Sequence, residues 1–173
     1  EGHAESTVRL LTAADLDALS VAPRVIAPAD PTVATEILRA AVRDGAVAVG
    51  AVSGEWLVGV ALAAPASVDQ LVALGVAPAW RRRGVATAML RALVTEQDRR
   101  GRALIALHTA AERDPIDPLP RAVRREVAER LAARAGLIAA PVPPHVSAAD
   151  PDARMAIHVS PGSRVWSGLL PDL

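Results

Sequence analysis

Three consecutive arginines, Arg81, Arg82 and Arg83, run straight into Gly84 and then into an apolar stretch with helical spacing. Val85, Met89, Leu90, Leu93 and Val94 recur at three- and four-residue intervals, so one face of that helix is apolar and docks on a core. The run before the arginines, QLVALGV at residues 70–76, is short and rich in Leu and Val, and a Gly and a Pro mark its end. It reads as a buried strand. Strand, turn and helix place Arg81 to Gly84 at the first turn of the helix, where backbone N–H groups lack partners and the dipole is positive. An arginine in that field is repelled by about 0.3 to 1 kcal/mol unless an anion is present. The chemistry expected at this junction is therefore anion binding.

Other reactive side chains are sparse. The chain has no cysteine, which excludes disulfides, thiol nucleophiles and thiolate-bound metals. His108, His145, His158 and the scattered carboxylates lack metal-ligand spacing, such as two histidines four apart on a helix, so no metal is expected. Ser53, Ser67 and Ser163 do not sit in a hydrolase nucleophile elbow. Trp56, Trp80 and Trp166 are too few and too scattered to form a stacking platform for nucleic acid. The 19 basic residues are all arginine and are balanced by 19 acidic ones. That balance argues against nucleic acid as a partner, since non-specific binding needs a broad basic surface.

The elements that must position these groups follow from periodicity and punctuation. Of the 173 residues 51% are hydrophobic, with Phe and Tyr absent, which suits one packed domain over residues 7–173 behind a flexible N-terminus at 1–6. No apolar run is long enough to span a membrane, and no basic-then-apolar leader opens the chain, so a cytoplasmic protein is expected. Thr12 and Asp15 predict a helix from about residue 13, and Asp30-Pro31 open a second one that Gly45 closes. Residues 46–52 and 56–64 flank the turn Ser53-Gly54-Glu55 and read as an antiparallel hairpin. After the quoted strand and helix, the latter closing at Gly101, residues 103–109 predict another strand. Residues 111–120 carry three prolines and cannot be regular structure. Residues 121–135 predict a charged helix stopped by Gly136. PVPPHVSAADPDA reads as a loop, 154–160 as a strand and RVWSGLL as one more. The order predicts a mixed α/β (α+β) fold with helices on both faces of one sheet.

The stretch LGVAPAWRRRGVATAML resembles the acyl-coenzyme A (acyl-CoA) binding motif of the GCN5-related N-acetyltransferase (GNAT) superfamily. That motif is Gln or Arg, two residues, Gly, one residue, then Gly or Ala, here Arg81 to Ala86. The Val76-x-Pro78 step, the strand before and the helix after stand where the family has them. The resemblance covers residues 7–110 well and the remainder loosely. It implies a mostly antiparallel central sheet and an acetyl-CoA pyrophosphate lying against the backbone of Arg81, Arg82, Arg83, Gly84, Val85, Ala86 and Thr87. The arginine side chains can pair with phosphates in forked geometry. It further implies a pantetheine arm pairing like an added strand with Leu74 and Val76, and the Val76 N–H polarising the thioester carbonyl.

Acid and base positions of the family look empty. A glutamate base is implied at the place of Gln70, and an acid tyrosine at the place of Ala132. Asp69 neighbours Gln70, but alternation turns it to the opposite face. His108 is left as a candidate proton carrier, with an ordinary pKa of about 6.5 that suits either role; the alternative is a strand-end histidine bonded to backbone. His158 is assigned to the cleft or to the core. The expected activity is acetyl transfer from acetyl-CoA to a primary amine of a small molecule by direct attack in a ternary complex. A protein amine and a homodimer stay open. The alternative is a degenerate acyl-CoA-binding sensor of the same fold.

Overall fold

The computed structural model describes residues 5–26, 30–108 and 121–161, with the backbone alone for 121–125. Along the chain it forms β1 (Thr7–Leu10), α1 (Ala13–Ala18), β2 (Ser20–Val21), α2 (Pro31–Arg43), β3 (Val47–Ser53), β4 (Trp56–Ala64) and β5 (Asp69–Val76). A 3-10 turn at Pro78–Trp80 leads to α3 (Val85–Arg100), followed by β6 (Leu104–His108), α4 (Arg121–Arg134), β7 (Ile138–Ala140), α5 (Pro144–Ala149) and β8 (Arg154–His158). One sheet holds the strands in the order β1-β3-β4-β5-β6-β8-β7. Its pairs are antiparallel except β5 with β6 and the short β2, which lies parallel to β4.

Local chemistry explains most boundaries. Thr12 and Asp15 close a reciprocal capping box on α1, and Asp30 accepts from the N–H groups of Thr32 and Val33 above Pro31 to open α2. On α3, Val85, Met89, Leu90, Leu93 and Val94 are all buried, as their spacing predicts. Each such side chain contributes about 1.5 to 3 kcal/mol by leaving water. Gly59 and Gly75 mark the two faces of the sheet. A side chain at Gly59 would meet Met89 of α3, whereas one at Gly75 would meet the backbone of Val25. Gly59 stands opposite Val76, so alternation puts Gly75 on the other face. The segment after β2, at Val25, therefore lies on the face opposite α3.

Several expectations need correction. Arg81 to Arg83 precede the helix, whose cap is Gly84, because Arg82 and Gly84 both take positive φ and cannot belong to its first turn. Residues 144–149, read as loop, form α5, since Pro144 at a first helical position opens a helix rather than breaking it. β1, β2 and β7 escaped the reading, being two to four residues long. The expected N-terminal tail, the Pro-rich segment at 111–120 and the strand in RVWSGLL fall wholly or mainly outside the described residues. Among the described residues no helix is long and apolar enough to cross a membrane.

Candidate functional site: an open strand edge beside a helix start

β5 carries the site. Along one edge it pairs with β4, from Gln70 opposite Ala64 to Val76 opposite Gly59. Along the other it meets β6 only at Asp69–Leu104 and Gln70–Ile105. β6 then continues with β8 alone, as far as His108 opposite Arg154. Beyond Gln70 the two central strands part. The Ala77 N–H donates to Val58 O at 2.8 Å, so alternation turns the backbone of Gly75 toward β4 and that of Leu74 and Val76 toward the gap. A register shift beside Leu62 leaves Val72 unopposed and its side chain exposed.

The closed end of this wedge is clamped by Asp69. Its carboxylate accepts from Gln97 Nε2 at 2.9 Å and from an Arg102 guanidinium nitrogen at 2.6 Å, joining the start of β5 to the end of α3 and the approach to β6. Arg102 also donates to Ala66 O, and Gln97 to Ala103 O. Burial pushes the Asp69 carboxyl up, but the hydrogen bonds from Arg102, Gln97 and the Ala66 N–H, with the Arg102 charge, outweigh it and hold the carboxyl below 3.8. A depressed folded pKa means that the stabilisation is complete above the unfolded value and is lost as pH falls through the folded one. Asp69→Asn is thus expected to lower stability at neutral pH and to narrow the gap to wild type below pH 3.8, measured by denaturant unfolding across that range. Retention of the full gap in acid would remove Asp69 as the clamp.

At the open end the chain turns back on itself. Arg81 Nε donates to Val76 O at 3.0 Å, stapling the loop to the end of β5. Arg83 lies over the Trp80 ring, 5.1 Å from its centroid. Two of the three arginines thus serve the loop itself, and Arg82, with φ 64°, is the one whose side chain has no partner among the described residues. Gly84, with φ 76°, caps α3 without any side-chain hydrogen bond. The first intrahelical bond comes from the Ala88 N–H to Gly84 O, so the N–H groups of Val85, Ala86 and Thr87 have no helical partner. A Cβ at Gly84 would meet nothing within 4 Å. Backbone donors, a positive helix end and open space in front of them form a seat for a phosphate-sized anion.

The remaining candidates separate cleanly. Gln70 is exposed, whereas Asp69 is buried on the other face, as alternation predicts. His108 ends β6 and is half-buried. His158 instead pairs with Leu104 at the closed end of the wedge, its Nε2 2.6 Å from Asp98 Oδ1, and so faces away from the gap. His145 lies exposed on α5, and Ala132 is buried in α4. Among the described residues no group of three His, Asp or Glu side chains is placed to hold a metal. The Arg81 staple and the Arg102–Asp69 clamp had no sequence signal beyond the residues' charge.

The family model described as Acetyltransferase (GNAT) family matches residues 17–118, more than half of the chain. The chain belongs to the GNAT family. The GNAT match spans α2 to β6 and so contains the wedge and the loop. Solved structures agree on the fold. An acetoin utilization protein from Exiguobacterium sibiricum superposes with a TM-score of 0.77 at 14% identity, over 94% of this chain and 90% of that one. A GNAT family acetyltransferase from Elizabethkingia anophelis with acetyl-CoA bound gives 0.58 at 9% identity, over 90% and 98%. A Bacillus subtilis acetyltransferase in complex with CoA gives 0.57 at 12% identity, over 90% and 99%. No curated protein matches the chain by sequence.

Proposed function

We propose that the protein transfers an acetyl group from acetyl-CoA to a primary amine of a small molecule, by direct attack in a ternary complex. One observation carries this reading: the released edge of β5 runs directly into the loop whose Arg82 and Gly84 hold positive φ before α3. A strand edge suits an amide-bearing arm, and a helix start suits a pyrophosphate. In this reading Leu74 and Val76 pair with pantetheine through their backbone. Arg81, Arg82, Arg83, Gly84, Val85, Ala86 and Thr87 surround the phosphates, Arg81 by holding the loop rather than by touching the ligand. The CoA and acetyl-CoA held by two structures of the same fold support the ligand class.

Acetyl-CoA supplies an activated thioester. The Val76 N–H is turned toward the gap by strand alternation and would polarise the thioester carbonyl. The amine must lose a proton as its nitrogen bonds to the acetyl carbon, and the departing sulfur must gain one. His108, at the end of β6 beside the wedge, is the proposed proton carrier. His108→Ala is expected to reduce turnover by about a hundredfold. A loss below about tenfold would make it a bystander.

The coenzyme assignment is tested by thermal melting with acetyl-CoA, CoA and ATP. At about 100 times its dissociation constant a ligand stabilises the folded state by about 2.7 kcal/mol, equivalent to a rise of about 5 to 10 °C for a chain of this size. A rise with acetyl-CoA and CoA but not ATP is expected, and no rise ends the reading. A second reading is a coenzyme-binding sensor, favoured by Gln70 at the place of the base and by the absence of tyrosine from the chain. Release of free thiol with a panel of amines decides between them.

A further inference from the structure

A second cavity, of about 470 Å³, lies on the β4 side of the coenzyme loop, away from the gap between β5 and β6. The segment after β2, Ala22 to Arg24, forms one wall, the 3-10 turn at Pro78–Trp80 another, and the start of β4 the floor. Two indole rings, Trp56 and Trp80, line it together with Val58 and Pro23. Trp56 is 51% exposed although Leu57 to Ala63 after it in β4 are buried. Arg24 is the single charged side chain among the described lining residues, and Ser53 adds a hydroxyl.

Arg24 is the unusual residue here. Ala22 and Val25 close a turn, the Val25 N–H donating to Ala22 O, with Pro23 and Arg24 at its corners. Arg24 has φ 66°, the conformation for which a turn with proline at its first corner favours glycine. The chain keeps an arginine where the backbone would prefer none, and its guanidinium makes no hydrogen bond or ion pair among the described residues. A cation with no partner among the described residues, on a mostly apolar, aromatic-lined cavity, selects an anion that carries a flat apolar body.

We propose that this cavity is a second ligand site that takes a small aromatic carboxylate, its ring between Trp56 and Trp80 and its carboxylate on Arg24. Trp80 belongs to both sites, since it lines the cavity and carries Arg83, two residues from the Val85 helix start. A ligand in the cavity therefore alters coenzyme affinity without competing for the coenzyme's place, and coenzyme alters ligand affinity by the same factor.

The test is tryptophan fluorescence of the full chain titrated with 3-phenylpropionate, and with 3-phenylpropanol as the uncharged control. Saturable quenching is expected for the acid, with affinity falling about tenfold for the alcohol and for Arg24→Asn. Asn tolerates the positive φ, so that variant keeps the turn while losing the cation. Gly84→Asp, which is aimed at coenzyme binding, should leave the titration unchanged, so this site and the coenzyme reading can fail separately. Absence of saturation at millimolar acid would overturn the proposal. Equal binding of acid and alcohol, unchanged affinity in Arg24→Asn, or competitive displacement by acetyl-CoA would also do so.

Discussion

Gly84→Asp is expected to lower the affinity for acetyl-CoA by about a hundredfold or more, whereas Gly84→Asn stays within about tenfold of wild type. The two side chains are nearly the same size, and both residues tolerate the left-handed backbone that φ 76° demands. A Cβ at this position meets nothing within 4 Å, and beyond it the two side chains have the same shape, so the fold has no steric reason to tell them apart. Both variants should melt close together, and below wild type by the glycine's backbone preference, about 1 kcal/mol. What separates them is one negative charge facing a pyrophosphate in front of unpaired N–H groups. Titration calorimetry of the pair measures that charge alone. Equal affinities for the two variants would move the pyrophosphate away from the α3 start.

Gly75→Ala should be the most damaging alanine substitution among the described glycines. Its Cβ would stand 1.8 Å from the carbonyl oxygen of Val25, a backbone atom that no rotamer change can move aside. Val25 is itself buried at 3% exposure, so the segment cannot lift without exposing core. Overpacking against side chains costs about 1 to 3 kcal/mol, and a backbone clash belongs at or above the top of that range. A fall in melting temperature of about 6 to 12 °C follows. Gly54→Ala is the control: φ is 58° but nothing lies within 4 Å, so only backbone strain of about 1 to 2 kcal/mol is incurred. Limited proteolysis should then find Pro23–Ile26 newly accessible in Gly75→Ala and unchanged in Gly54→Ala. Equal melting of the two variants would mean that the segment at Val25 does not rest on β5.

The same two glycines show which features a sequence exposes and which it hides. Gly84 was legible because a helix start, an arginine cluster and a positive-φ residue are neighbours along the chain. The core face of α3 was legible for the same reason, every member lying within ten residues. The opposite placement of Asp69 and Gln70 needed only a period of two. Gly75 was read as the end of a strand, since its contact with Val25 joins residues fifty apart in the chain. The open edge at Leu74 and Val76 was implied by the family resemblance alone: by periodicity β5 reads as one strand, and nothing in its composition says that its second partner leaves after two rows. The arginines were read as equivalent ligands of phosphate. Arg81 and Arg83 proved to have partners within the loop, at Val76 and Trp80, and a run of like residues carries no mark of such a division.

The early parting of β5 and β6 has a bearing on solubility. A strand with free N–H and C=O groups is a template for other chains, and proteins usually blunt it with charge, proline or shortness. Here the free edge lies in the middle of the sheet, flanked by β4 on one side and β6 on the other. Among the described residues the outermost strands, β1 and β7, offer only four and three residues to a neighbour. An incoming sheet thus finds little purchase at the rim and has no straight approach to the longer edge within. The protein keeps a strand hungry for a partner while presenting it only to something as slender as a single extended chain of atoms.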